Sequence, residues 1–245
     1  MTALLQVDGL SKRFGGLQAV RDLSFTVAEG EIVALIGPNG AGKTTVFALL
    51  SGFLAPDAGR VRLRGHDLAG LEPHQVTALG LARTFQIMRP FPRLSVVRNV
   101  TVATLRRHPR PAEAEARARA ILAELGLAAK AELPAAGLTL AERKRLELAR
   151  ALGTEPVLLL LDEVMSGLTE AETERIVDLV RAINRRGVAI VLIEHVMRAV
   201  MSLAQRIVVL NYGERIAEGQ PAVVAGDPRV IEAYLGDEDV GRAPA

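Results

Sequence analysis

Apolar and polar positions alternate along residues 4–35 in the two-residue rhythm of half-buried strands: LLQVDGL, then AVRDLSFTV, then EIVALIG. RVRLRG (60–65) continues the rhythm as a further strand. These segments predict an antiparallel sheet that leads into one strand of a parallel sheet. Residues 37–45 form a glycine-rich turn, and VFALLSGF (46–53) predicts a helix after it. The rhythm changes over residues 88–150. PRPAEAEARARAILAELGL and LAERKRLELARAL carry helical periodicity, which predicts a helical subdomain inserted into an α/β core. VLLLL (157–161) and VAIVLIEH (188–195) are continuous apolar runs, as in strands buried on both faces. Between them, TEAETERIVDLVRAINRRG predicts a helix ending at Gly187. RIVVLNYGERIAEG predicts a hairpin turning at Tyr212-Gly213, and DEDVGRAPA (237–245) a loose tail. The whole of residues 1–245 reads as one domain with a subdomain, and no internal repeat is visible.

Composition narrows the partners. The chain is 49% hydrophobic but only 3% aromatic, with a net charge of +2, which speaks against a base-stacking or nucleic-acid surface. With no cysteine, disulfides and thiolate metal sites are excluded. Asp8 and Lys12 interrupt any apolar core of a signal peptide, and no apolar run approaches the roughly 20 residues that cross a bilayer. Contact with a membrane is therefore expected through partners or a surface patch. Four of the 30 basic residues are lysines (Lys12, Lys43, Lys130 and Lys144), so each lysine stands out against the arginines.

Gly37-Pro38-Asn39-Gly40-Ala41-Gly42-Lys43-Thr44 fits G-x-x-x-x-G-K-S/T, preceded by the apolar strand IVALI and followed by a helix. Glycines let the backbone curl so that several N–H groups converge, and the helix adds its free amides and positive dipole end. The pattern predicts a phosphate cradle in which Lys43 reaches the outer phosphates of ATP and the Thr44 hydroxyl ligates Mg²⁺. A compact ammonium suits that task better than a planar guanidinium.

Asp162-Glu163 follows the buried VLLLL run. Adjacent carboxylates there are costly unless they bind something, although a plain loop start also accommodates them. Beside the cradle, Asp162 is expected to hold Mg²⁺ and Glu163 to polarise the attacking water. His195 ends the second buried run, where a structural histidine is also common. Ligands bind at the carboxyl ends of parallel strands, so the cradle, Asp162-Glu163 and His195 are expected on one edge, with His195 near the γ-phosphate or the water.

Taken together, these stretches resemble the nucleotide-binding domain of ABC proteins over nearly the whole chain. GPNGAGKTT, through Thr45, looks like that family's phosphate loop, LLLLDE its Walker B strand, SGLT (166–169) its D-loop and IEH (193–195) its switch histidine. Gln86 in RTFQIMRPF looks like the Q-loop glutamine, which implies a metal and water contact and a link to a membrane partner. Phe14 occupies the place of the aromatic that stacks on adenine; a core aromatic is the alternative. ARTFQIMRPFPRLSVVRNV, ERKRLELARAL, IEHVMRAVM and VIEAYLG most resemble the ATPase subunits of branched-chain amino acid transporters. One motif departs. Where the family has Leu-Ser-Gly-Gly-Gln, this chain has Leu138-Thr139-Leu140-Ala141-Glu142. A hydroxyl remains, both glycines are gone, and a carboxylate falls near the docking place of a partner's γ-phosphate; the alternative is that Glu142 is simply an acid of the helix's N-terminal turn, whose amides remain on offer.

The resemblance implies a P-loop ABC ATPase with a parallel-sheet core, an N-terminal antiparallel subdomain and a helical insertion. It implies two ATPase subunits, in a homo- or heterodimer, closing head to tail over two ATPs with Mg²⁺. It further implies membrane-spanning permease subunits and, indirectly, a periplasmic or extracellular binding protein. The chain would then sit on the cytoplasmic face of the cell membrane, with IMRPFPRLSVV (87–97) as part of a docking surface. Two rival classes are a soluble ABC-type ATPase of DNA repair or translation and a P-loop small-molecule kinase. The first usually carries a long coiled coil or tandem cassettes. The second needs an acceptor pocket and a lid, and has no use for Gln86, Asp162-Glu163 and His195 as a set.

Overall fold

The computed structural model describes residues 3–86 and 90–240, with the side chains of the last helix described as far as Tyr234. Ile87, Met88 and Arg89 of the expected docking surface, and residues 241–245 of the expected tail, lie outside the described residues.

Among the described residues the strands form two sheets. One is antiparallel and joins β1 (Ala3–Phe14), β2 (Leu17–Ala28), β4 (Ala58–Leu63) and β5 (His66–Asp67) in the order β2-β1-β4-β5. The other contains β3 (Ile32–Ile36), β6 (Leu81–Arg83), β7 (Leu158–Asp162), β8 (Ala189–Ile193), β9 (Arg206–Asn211) and β10 (Glu214–Gly219), in the order β10-β9-β3-β8-β7-β6. Its pairs from β9 to β6 are parallel, and β10 is antiparallel to β9.

The continuous apolar runs have a geometric cause. Alternate residues of one strand serve two different cores. Ile32, Ala34 and Ile36, with Leu159, Leu161, Ile190 and Leu192, face the helical side. Val33 and Leu35, with Leu158, Leu160, Val191 and Ile193, face the antiparallel sheet and α1 (Lys43–Leu50). A strand covered on both faces has no polar position to alternate with.

Between β5 and β6 the chain makes α2 (Pro73–Ala78), and between β6 and β7 it makes α3 (Val96–Thr104), α4 (Pro111–Glu124) and α5 (Leu140–Leu152). Ser95 caps α3, its hydroxyl accepting from Arg98 N–H, and Thr139 caps α5. The later helices are α6 (Glu170–Asn184), α7 (Met197–Leu203), α8 (Pro221–Ala225) and α9 (Pro228–Val240). α9 includes residues 237–240, the start of the segment expected to be a loose tail.

Helix limits differ from the periodicity in two places. α1 begins at Lys43 rather than after Thr45, and stops at Leu50 rather than Phe53. Gly52 has φ +75°, and a Cβ there would lie 2.8 Å from the Leu71 carbonyl oxygen, so the chain turns where the apolar pattern continues. α6 ends at Asn184, three residues before Gly187. The Asn184 side-chain amide donates to the carbonyls of Gly30 (2.8 Å) and Val188 (3.0 Å) and fastens the turn into β8.

Candidate functional site

The carboxyl ends of β3, β7 and β8 deliver three loops to one edge of the sheet. β3 runs into the glycine-rich turn, β7 ends at Asp162, and β8 ends just before Glu194 and His195. Asp162 pairs with Ile193 across the parallel ladder, and the Glu163 N–H donates to the Ile193 carbonyl at 2.9 Å. That register sets Glu163 beside His195. The fourth contributor, Gln86, lies three residues beyond β6. Phe14, Lys43, Thr44, Thr45, Gln86, Glu163 and His195 all line one cleft of about 670 Å³, together with Asn39 to Gly42 of the turn.

The turn needs its glycines for space. A Cβ at Gly37 would lie 2.0 Å from the Leu210 carbonyl oxygen, and one at Gly42 2.2 Å from that of Ala19. Gly42 also takes φ +101° as it enters α1. The Lys43 ammonium is folded back onto the turn, donating to the carbonyls of Gly37 (2.7 Å) and Pro38 (2.8 Å). A buried ammonium at the first residue of α1, beneath a turn that the glycines leave open, is the arrangement expected of a phosphate cradle.

Glu163 is held from several sides. The Gln86 amide donates to Oε2 at 2.8 Å, and His195 Nε2 lies 2.9 Å from Oε1. Its carbonyl accepts from the Lys144 ammonium at 2.7 Å. The backbone at Glu163 is left-handed, with φ +50°, a conformation a non-glycine residue keeps only where its surroundings enforce it. Glu163 and His195 thus meet as the strand-end argument expects, and Gln86 joins them.

Asp162 is 2% exposed, and its Oδ2 accepts from Arg83 at 2.8 Å. Oδ1 is buried and has no hydrogen-bond partner among the described residues. Asp162, Thr44 and Gln86 line a second cavity of about 450 Å³, next to the cleft and shared with Arg83, Phe85, Glu147 and Arg150. A carboxylate with one buried oxygen unpartnered, lining one cavity with a hydroxyl and a carboxamide, is a donor set that fits a hard cation such as Mg²⁺. That ion takes one or two protein oxygens and completes its shell with phosphate and water.

Phe14 is 45% exposed at the lip of the cleft, so it is no core aromatic. The Lys12 ammonium sits 5.7 Å from its ring centroid. In SGLT, Gly167 has φ +77° and Thr169 caps α6 in a capping box with Glu172. In the divergent motif, Leu138 is buried and Leu140 is 45% exposed. Thr139 and Glu142 close a capping box of their own: Thr139 N–H donates to Glu142 Oε2 at 3.0 Å, and Glu142 N–H to Thr139 Oγ1 at 3.4 Å. Lys130 pairs with the other Glu142 oxygen at 2.6 Å. The Lys130 hydrogen bond, with that of the Thr139 N–H, holds the Glu142 carboxyl below the usual range. The carboxylate expected to intrude on a docking phosphate is turned into its own helix start.

Sequence reasoning missed Arg83, Lys144 as a contact of Glu163, and Glu194. Glu194 is 2% exposed; its Oε1 accepts from Met165 N–H at 2.8 Å, while Oε2 is buried without a hydrogen-bond partner. Burial pushes its carboxyl up to about 7, opposed by the Met165 hydrogen bond and by Lys144. Burial likewise lowers the Lys144 ammonium, against the attraction of Glu194, Glu163 and Asp162. The scarcity of lysine was the available signal for Lys144.

A phosphate cradle, a buried acid facing it, and a carboxylate held by a glutamine and a histidine define a P-loop nucleotide hydrolase. Comparison with known proteins narrows the class. Residues 20–166 match the ABC transporter family, and residues 214–240 match the family described as branched-chain amino acid ATP-binding cassette transporter. The chain is 42% identical to the high-affinity branched-chain amino acid transport ATP-binding protein LivG of Salmonella typhimurium, over 96% of this chain and 98% of that one. It is 40% identical to BraF of Pseudomonas aeruginosa, with the same coverage. It is also 36% identical to the lipopolysaccharide export system ATP-binding protein LptB of Acidithiobacillus ferridurans, over 97% of this chain and 99% of that one. The ADP conformation of MJ1267, an ATP-binding cassette of an ABC transporter, superposes with a TM-score of 0.88 at 28% identity, covering 96% of this chain and all of that one. The chain belongs to the ABC transporter family and is an ATPase of the ABC type.

Proposed function

We propose that this ATPase energises the import of branched-chain or related amino acids, from the cytoplasmic face of the cell membrane. The convergence of Lys43, Gln86, Glu163 and His195 on one cleft carries the hydrolytic part of this reading. The substrate class rests on the names of the LivG and BraF relatives, which match nearly end to end.

In the proposed cycle Phe14 stacks on adenine. The turn from Gly37 to Thr45 takes the phosphates, and Lys43 exchanges the carbonyls of Gly37 and Pro38 for phosphate oxygens. Thr44, Asp162 and Gln86 would hold Mg²⁺, which when bound neutralises charge on the phosphates. Glu163 orients the attacking water and accepts its proton, and His195 supports the γ-phosphate or that water. Both Glu163 oxygens are engaged by Gln86 and His195, so the carboxylate acts on water only as these side chains turn toward the phosphates. Two such subunits close head to tail over two ATPs. Contacts made only with ATP drive closure, and hydrolysis removes them.

Coupling to the permease subunits would use the surface near Gln86. Phe53, Phe85 and Phe91, half of the chain's phenylalanines, are exposed there. Phe53 and Phe85 meet edge to face at 5.5 Å, and Arg150 lies over Phe91. Exposed aromatics in an aromatic-poor chain favour a docking surface. The binding protein would act on the permeases and not on this chain. The Thr139–Glu142 capping box engages helix-start amides that a signature would offer to the partner's phosphate. This favours a heterodimer in which this signature serves the weaker site.

The test is reconstitution with the permeases and companion ATPase into vesicles, with uptake of labelled leucine measured. Uptake that requires ATP and disappears with Glu163→Gln supports the reading. ATP turnover by the assembly with no uptake of any branched-chain amino acid rejects the substrate class.

A further inference from the structure

α5 is capped by Thr139, where the proposed assembly docks the partner's nucleotide, and five residues beyond the cap it carries Lys144. Lys144 is 6% exposed, and its ammonium reaches across to the Glu163 carbonyl at 2.7 Å. The two peptide groups that flank Glu163 are therefore fixed by two different elements. Its N–H is bonded to Ile193 at the end of β8, and its carbonyl to α5. Between these two bonds sits the left-handed backbone, φ +50°, whose torsion decides where the carboxylate points.

We infer that Lys144 is a positioning residue for hydrolysis: it ties the helix that receives the partner subunit's nucleotide to the main chain of the carboxylate that acts on this subunit's own nucleotide. A helix is stiff along its axis, so displacement of its first turn is transmitted to Lys144 one turn further on. Occupation of one composite site thereby adjusts the carboxylate of the other. Lys144 touches neither nucleotide nor water in this scheme and acts only through Glu163. The inference rests on the proposed role of Glu163.

An ammonium suits the position. It concentrates its donors on a slim flexible stem, it is drawn toward Asp162, Glu163 and Glu194, and in a chain whose basic residues are nearly all arginine it is the exception. Leu146, Leu148 and Ala149 of the same helix belong to the helical-side core, so the stem need not be charged for α5 to pack.

The experiment compares Lys144→Met, Lys144→Arg and Glu163→Gln in the assembled transporter, measuring ATP kcat and KM, nucleotide affinity and thermal melting. For Lys144→Met the expected result is a fall in kcat of about 10-fold or more with KM and affinity within about 3-fold, because misplacing a reacting group costs turnover and not binding. Lys144→Arg, which keeps a donor, is expected to recover part of the loss. If Lys144→Met fails to fold, Lys144→Gln reads the same split. Turnover of Lys144→Met within about 2-fold of the parent, while Glu163→Gln is inactive, overturns the positioning role and leaves the Glu163 reading intact. A rise in KM matching the loss in kcat/KM, with kcat unchanged, overturns it as well. Active Glu163→Gln overturns both.

Discussion

Arg83 Nη2 lies 2.8 Å from Asp162 Oδ2, and the two side chains are only 10% and 2% exposed. The guanidinium also stands 5.7 Å from the Phe47 ring and 5.3 Å from the Phe85 ring. It balances a carboxylate that the fold buries at the end of β7 while leaving the other Asp162 oxygen for a ligand. A buried pair is costly to break from one side, because the remaining charge keeps its desolvation penalty. Arg83→Met is expected to lower the unfolding free energy by about 3 kcal/mol or more at pH 7, measured in urea. Adding Asp162→Asn should recover much of that loss. A loss in the double variant equal to the sum of the two single losses would show that the pair is not coupled.

Glu194 gives a pH signature. Its carboxyl ordinarily titrates near 4.5 and is raised to about 7 in the fold, chiefly by burial. The folded chain then holds the proton more tightly than the unfolded chain. This group's contribution is most favourable below pH 4.5, declines as pH rises from 4.5 to about 7, and stays at its least favourable above that. Glu194→Gln keeps an acceptor for Met165 N–H and cannot ionise. It is expected to be more stable than the parent at pH 8 by about 1–3 kcal/mol, with the difference vanishing toward pH 4.5. Parallel stability curves for the two proteins from pH 4.5 to 8 would contradict this.

The start of α5 separates capping from charge. Thr139→Ala removes the hydroxyl that accepts the Glu142 N–H and is expected to cost about 1 kcal/mol. Glu142→Gln can still close the box and should cost less than Thr139→Ala, because its ion pair with Lys130 is partly exposed. It also removes the carboxylate from the divergent signature. If that charge weakens the composite site, Glu142→Gln tightens ATP-dependent association of subunits in light scattering. Unchanged association would place the weakness in the capping box, which glutamine still closes, or in the lost glycines, and not in the charge.

Local chemistry decided what could be read without coordinates. The phosphate turn was legible because Gly37 and Gly42 answer to space that no side chain fits, and because Lys43 falls at a fixed offset from them. The α5 helix was legible from its amphipathic period, although its Thr139 cap was not. β7 and β8 were legible as buried strands because both faces are covered. β6 was not: it has three residues and no room for a pattern. Neither was α2, whose only buried residue is Val76. Arg83 and Lys144 were hidden for another reason. Their partners lie 79 and 19 residues away, so their meaning depends on which strand ends meet and not on neighbours in sequence. Of the two readings open for Glu142, the acid of the helix's own first turn is the one the structure bears out; its pairing with Lys130, 12 residues earlier, was not legible.

The most direct measurement of the account is made on Glu163→Gln with Mg²⁺ and ATP, following nucleotide binding and turnover on the same preparation and association by light scattering. The substitution keeps the side chain's shape and its contacts with Gln86 and His195 but removes the base. ATP affinity is expected within about 3-fold of the parent and turnover reduced by about 100-fold or more. An ATP-dependent dimer, formed alone or with a companion ATPase and dissolved by EDTA, is expected as well. Turnover within a few-fold of the parent would contradict the role given to Glu163, because the carboxylate between Gln86 and His195 would then not be the group that activates water.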